Sequence, residues 1–328
     1  MRIKTLLLVT VLCLAAVPTP RAQDPAPPPP PAGPMVGLSL IVTDKDGKGV
    51  NSIRKDQIRV VEDGAEQTVV SIEPDERPVD CVLLIDASGS FKRLITSALE
   101  AAKLVIVNRR PDDQIAIVRF VGREIIEDTQ AFTTDNNLLF KALDSIYLEK
   151  GQSAVVDALY LAADHVTKHN KENESRRKVV VILTDGEDRN SYYSQEQLIK
   201  LLRETGVQVF ILGLVLELDK EAGFIRLSPR EKAEKLLTAV AEESGGRVFF
   251  PTDKKQLVDS AAQIIMDMRA QFRIKYQSTR APKNGFRKVD VKYVAAQGDE
   301  KRHLITPRGY FIGPRTPPDK KSEKKKKS

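Results

Sequence analysis

Tryptophan is absent from this chain of 328 residues, and histidine and cysteine are scarce, with three and two copies. Aromatic residues make up 5% of the chain, too few for the stacking platforms that hold single-stranded bases, so nucleic acid is not an expected partner. The histidines are His165, His169 and His303, on a helical stretch, its end and a late extended segment. None accompanies a G-x-S-x-G nucleophile elbow, and Asp86-Ala87-Ser88-Gly89-Ser90 lacks its first glycine. Phosphoryl transfer on an aspartate calls for a second Asp at position 88, where Ser stands. A G-x-x-x-x-G-K phosphate loop is also missing. These absences argue for binding rather than turnover.

The cysteines and the amino-terminal residues speak to compartment. Arg2 and Lys4 precede a mostly apolar run, Leu6 to Val17, the length of a signal-peptide core and short for a membrane span. Residues 1–22 are expected to be an export signal cleaved after Ala22, with an uncleaved anchor as the alternative, placing the mature chain in a secreted or periplasmic setting. Cys13 leaves with such a signal, so Cys81 remains alone and no intramolecular disulfide forms. Cys81 opens a buried-strand run and reads as a small packed hydrophobe.

Residues 23–35 are rich in Pro, Ala and Gly and read as a stiff linker. The formal charge of +7 is a property of the ends. Residues 315–328 carry seven basic and two acidic side chains, and with the export signal also set aside the body is about neutral. This Lys-rich tail reads as a disordered, solvated end, with a membrane surface, polysaccharide or a protein as the contacts open to it.

The most informative run is Val82-Leu83-Leu84-Ile85-Asp86-Ala87-Ser88-Gly89-Ser90. Uninterrupted apolar residues predict a strand buried on both faces, and open α/β sheets bind ligands at the carboxyl ends of such strands. A second run, Lys178 to Leu183, ends in Thr184-Asp185-Gly186-Glu187-Asp188, and Gly151-Gln152-Ser153 opens a helical segment from Ala154 to Lys168. Asp86, Ser88, Ser90, Ser153 and Asp185 offer only oxygen, the donor set of a hard cation such as Mg²⁺. Neutral hydroxyls leave such a cation most of its charge. The competing expectation is that these residues cap turns and helices. Glu187 and Asp188 read as solvent-exposed loop acids, and Asp157 as a helix residue supporting the second loop.

At these residues the chain resembles a von Willebrand factor type A (VWA) domain with its metal-ion-dependent adhesion site. The family pattern is D-x-S-x-S, a Thr in a second loop and an Asp in a T-D-G-like third loop. Asp86, Ser88, Ser90 and Asp185 match, and Ser153 stands where the family usually has Thr. The resemblance implies a Mg²⁺ ion (Mn²⁺ or Ca²⁺ as alternatives) that captures an Asp or Glu of a protein ligand. The segments V-T-D-K-D-G and V-V-E-D-G-A-E-Q, with a terminal Gly309-Tyr310-Phe311, resemble the acidobacterial VWFA-related family of secreted proteins. The alternative reading is a structural cell-envelope protein whose metal site is stabilising or vestigial.

The predicted fold is α/β, a doubly wound, mostly parallel Rossmann-like sheet over residues 79–270 with small β modules at both ends, 36–78 and 271–314. Strands are expected at Ile115 to Val118, Val207 to Leu212 and Arg247 to Phe250, with a short antiparallel edge at Ile125 and Ile126. Apolar stripes mark core-facing helices around Leu94 to Ile106, Ala233 to Ala241 and Leu257 to Met268. Glu62-Asp63-Gly64-Ala65 predicts a hairpin. Leu304 to Ile312 is expected as one extended segment, and the two β stretches as one sandwich beneath the α/β part.

Overall fold

The computed structural model describes residues 33–171, 175–221 and 227–314. The expected export signal, the linker up to residue 32 and the Lys-rich tail lie outside the described residues.

Six strands form the central sheet: β4 (Val79–Asp86), β5 (Gln114–Gly122), β6 (Ile125–Thr133), β7 (Arg177–Thr184), β8 (Gln208–Gly213) and β9 (Val248–Phe249), in the order β6-β5-β4-β7-β8-β9. All neighbours are parallel except β5 and β6. Every residue of β4 and β8 is buried, as expected of strands covered on both faces. Helices α3 (Val155–His169), α4 (Gln195–Thr205) and α5 (Pro229–Ser244) pack on one face around Val82, Leu84, Val180 and Ile182. Helices α1 (Ile95–Val107), α2 (Asn136–Asp144) and α6 (Lys254–Arg269) cover the other around Leu83, Ile85, Val181 and Leu183. Each buried Val, Leu or Ile contributes about 2 kcal/mol, so β4 is a rigid mount for the carboxylate at its end.

Local chemistry sets the helix ends. Ser194 with Gln197 and Ser228 with Glu231 form capping boxes at the starts of α4 and α5, and Pro229 fills the first position of α5. The edge strand β6 runs nine residues, well beyond Ile125 and Ile126, because pairing with β5 continues past three irregularities in register.

The flanking β stretches do not form a sandwich. They interleave into one seven-stranded antiparallel sheet of β1 (Met35–Thr43), β2 (Ile58–Glu62), β3 (Ala65–Pro74), β10 (Phe272–Gln277), β11 (Gly285–Tyr293), β12 (His303–Ile305) and β13 (Gly309–Ile312). The order is β12-β1-β10-β3-β2-β11-β13. The cause is β10, which pairs with β1 on one side and β3 on the other and knits the two ends of the chain together. One core serves this sheet, including Leu38, Leu40, Val60, Ile274, Tyr276 and Val291. Leu304 to Ile312 splits into two strands, because Thr306 to Arg308, with Pro307 among them, lies outside the ladders. The β2–β3 hairpin turns at Asp63 (φ 45°) and Gly64 (φ 84°), the paired positive φ values that suit two-residue hairpins.

The α/β unit is inserted between β3 and β10, and its entry and exit lie side by side where Asp75 N donates to Gln271 O at 2.7 Å. Ile41 and Ile305 reach from the antiparallel sheet into the α1/α2/α6 core, so the two units share apolar contacts.

Candidate metal centre

Three loops converge at the carboxyl ends of β4 and β7. The first carries Asp86, Ser88 and Ser90, and is tied to β5 where Ala87 N donates to Phe120 O at 2.8 Å. The second precedes α3, carries Ser153, and meets the first where Glu149 N donates to Ala87 O at 3.0 Å. The third follows β7, carries Asp185, and meets the second where Arg189 N donates to Ser153 O at 2.9 Å. These backbone bonds hold the loops to one another independently of any ligand.

The five expected side chains meet in one network. Asp86 is fully buried, with Oδ1 accepting from Ser88 N at 3.0 Å. Its Oδ2 accepts from Thr184 Oγ1 at 2.7 Å and from Ser153 Oγ at 3.4 Å. Ser88 Oγ and Ser90 Oγ are 3.1 Å apart, and the Ser90 hydroxyl bonds Asp185, which is 1% exposed. Burial pushes the Asp86 carboxyl up to about 7, and the neighbouring Asp185 carboxylate adds to that rise. Burial likewise raises Asp185. Two carboxyls thus lie close together, out of water, against hydroxyl and backbone donors.

Among the described residues, no group of three or more His, Cys, Asp or Glu side chains is placed to hold a metal ion. The donor set here is two carboxylates and three hydroxyls, all oxygen, and it fits a hard cation whose charge would offset the buried carboxylates. Gly186 shapes the third loop. Its φ is +77°, and a Cβ there would lie 2.7 Å from Leu237 Cδ1, so α5 packs directly against the loop.

Other residues at the site have roles that sequence reasoning missed or misjudged. Thr184 donates the shortest bond to Asp86 and also accepts from Gly186 N at 3.0 Å. Asp188 is exposed as expected but structurally engaged: its Oδ1 accepts from Val156 N, at the start of α3, at 3.2 Å and from Ser191 Oγ at 2.5 Å. Glu187 is largely covered and paired with Arg189, rather than a solvated loop acid. Asp157 supports the third loop rather than the second, accepting from Tyr192 N at 2.9 and 2.8 Å and from Tyr193 N at 2.8 Å. Arg119, 2% exposed, holds the second loop by donating to Tyr147 O at 2.9 Å and Glu149 Oε2 at 3.2 Å. The sequence signal for Thr184 is a hydroxyl residue ending a buried apolar strand next to an Asp; a lone Arg in β5 gives no such signal. Cys81 is buried, and burial raises its thiol far above the ordinary value, consistent with a packing role.

A central, mostly parallel sheet of this order, covered by helices on both faces, defines a class of doubly wound α/β modules. The chain belongs to the von Willebrand factor type A domain family, whose profile matches residues 80–263. It is 29% identical over 142 residues to an uncharacterized protein of Borreliella burgdorferi, a match covering 41% of this chain and 40% of that relative. The chain therefore spans about two fifths of the length of the curated relative it matches. Among solved structures it is similar to a von Willebrand factor type A protein from Catenulispora acidiphila, at 14% identity, 74% and 73% coverage and TM-score 0.47. It is also similar to an aerotolerance-related membrane protein from Bacteroides fragilis, at 20% identity, 57% and 98% coverage and TM-score 0.45. Among the described residues, no helix is long and apolar enough to cross a membrane.

Proposed function

We propose that this protein is a divalent-cation-dependent protein-binding module acting outside the cytoplasm, in adhesion or assembly, with Mg²⁺ as its ion and Mn²⁺ or Ca²⁺ as substitutes. The observation that carries the reading is the burial of Asp86 beside Asp185, at the ends of adjacent parallel strands, among the hydroxyls of Ser88, Ser90 and Ser153. Buried like charges are costly without a counter-charge. A bound cation supplies that charge and, held largely by neutral hydroxyls, keeps an open ligand position for an Asp or Glu of the partner. Ser88, Ser90 and Ser153 orient the site, while Asp86 and Asp185 balance its charge. Asp188, exposed beside the site, makes the rim unfavourable to a broadly acidic partner, so one carboxylate in a neutral or basic setting is the favoured ligand.

The test is calorimetric titration with MgCl₂ together with thermal melts in Mg²⁺ and in EDTA, followed by an extracellular pull-down with wild type and Ser88→Ala. Cation binding plus partner capture lost in EDTA supports the reading. Cation binding without cation-dependent capture favours a structural role at the cell envelope.

A further inference from the structure

The second loop is the least regular part of the candidate metal centre. Residues 145–154, between α2 and α3, form neither helix nor strand, yet they carry Ser153. The other two loops leave directly from the buried strands β4 and β7, which fix where they start. The second loop follows no strand and is fixed from the side, by β5.

Arg119 makes that attachment. It lies on β5 opposite Ile85, the residue before Asp86, and is 2% exposed. Its Nη1 donates to Tyr147 O at 2.9 Å, and its Nη2 donates to Tyr147 Oη and Glu149 Oε2, each at 3.2 Å. The guanidinium also lies 3.9 Å from the centroid of the Tyr147 ring. From the neighbouring strand β6, Glu127 Oε2 accepts from Nη2 at 3.1 Å. Close backbone contact continues the attachment towards Ser153. A Cβ at Gly122 would lie 2.8 Å from Gln152 O, and one at Gly151 would lie 2.6 Å from Val121 Cγ1, so the loop rests directly on the end of β5. Glu149 N then bonds Ala87 O in the first loop. Among the described residues, Arg119 hydrogen-bonds none of the five donor side chains, so it acts on them through the loop.

An ion held by side chains from three loops is sized by how firmly those loops are fixed to one another. Mg²⁺ demands near-octahedral oxygen at about 2.0–2.1 Å, whereas Ca²⁺ accepts adaptable geometry at about 2.3–2.6 Å. We propose that Arg119 is a positioning residue of the metal centre, which fixes the loop carrying Ser153 to β5 and thereby makes the centre prefer Mg²⁺ to Ca²⁺. This role rests on the cation-binding reading above and gives the ion choice a structural cause.

Calorimetric titrations with Mg²⁺ and with Ca²⁺ compare the full chain with Arg119→Lys, which keeps the charge and loses the planar fork. Arg119→Lys is expected to lower Mg²⁺ affinity about tenfold and to leave Ca²⁺ affinity within about twofold. Gly122→Ala reaches the same loop without altering Arg119, by pressing on Gln152 O, and is expected to lower the Mg²⁺-to-Ca²⁺ affinity ratio in the same direction. It carries the test if Arg119→Lys does not fold. Hydrogen exchange in EDTA reads the attachment with no ion bound. Protection of the Glu149 amide is expected to fall about tenfold in Arg119→Lys, with β4 amides unchanged. A wild type that binds neither ion overturns the cation-binding reading itself, and the ion choice with it. A wild type that binds Mg²⁺, with an unchanged affinity ratio in both variants, overturns only the role given to Arg119. Equal loss of both affinities in Arg119→Lys does the same, because a merely structural part weakens both ions alike. Unchanged protection of the Glu149 amide, or a wild type that prefers Ca²⁺, also overturns that role.

Discussion

Thr184 Oγ1 donates a 2.7 Å hydrogen bond to Oδ2 of Asp86, joining the ends of β7 and β4 inside the candidate metal centre. Both residues are fully buried, so the bond is out of competition with water. Replacing Thr184 by Val keeps the shape and removes one donor from a buried carboxyl that retains only Ser153 at 3.4 Å on that oxygen. The expected cost is about 1–2 kcal/mol in urea unfolding. Unchanged stability in Thr184→Val would show that the bond is not needed to hold the two strand ends.

Asp86→Asn separates stability from cation binding. In EDTA at pH 8, removing one of two adjacent buried carboxylates is expected to leave the melting temperature equal to or above that of wild type. The same variant is expected to lose the stabilisation by Mg²⁺ proposed for wild type. A variant that still gains stability from Mg²⁺ would remove Asp86 from the site.

Asp157 holds the third loop by accepting from two successive backbone amides, Tyr192 N and Tyr193 N. Asp157→Ala leaves both donors without this acceptor, with an expected loss on the order of 2 kcal/mol. Hydrogen exchange gives the sharper readout. Protection of the Tyr192 and Tyr193 amides is expected to fall by about tenfold or more while β4 amides change far less. Equal losses in both places would make Asp157 a general stabiliser rather than a loop clamp.

Asp267 provides a pH test outside the candidate metal centre. Its side chain is fully buried, with Oδ2 2.7 Å from Arg247 Nη1, and burial outweighs that partner in raising its carboxyl to about 6 from 3.8. The folded chain therefore holds this proton more tightly than the unfolded chain. The contribution is fully present below about pH 4, is lost as pH rises to about 6, and is flat above that. Relative to Asp267→Asn, wild type is expected to lose on the order of 2 kcal/mol across that window. Parallel stability curves for the two proteins between pH 4 and 7 would count against it.

Much of the α/β unit was legible because its signals are local. Val82 to Ile85 and Val179 to Leu183 are apolar without interruption, and only strands covered on both faces bury such runs economically. The loop residues Asp86, Ser88, Ser90, Ser153 and Asp185 follow directly from where those strands end and α3 begins. The short helices α2 and α4 were less visible, since their apolar stripes are brief and their starts depend on the caps Asp135 and Ser194.

By itself, the sequence determined the strand ends and hence which oxygen-bearing side chains lie in the loops of the candidate metal centre, because backbone direction and burial follow from a few consecutive residues. Only the tertiary structure decided what those side chains meet. Thr184 reaching Asp86, Asp157 clamping a loop 35 residues away, and β10 knitting the chain ends into one sheet are all long-range contacts. Local sequence specifies a strand's periodicity but not its partner. Pairing is settled by which edges remain open once the α/β core has packed, and by which buried polar atoms must find a partner there.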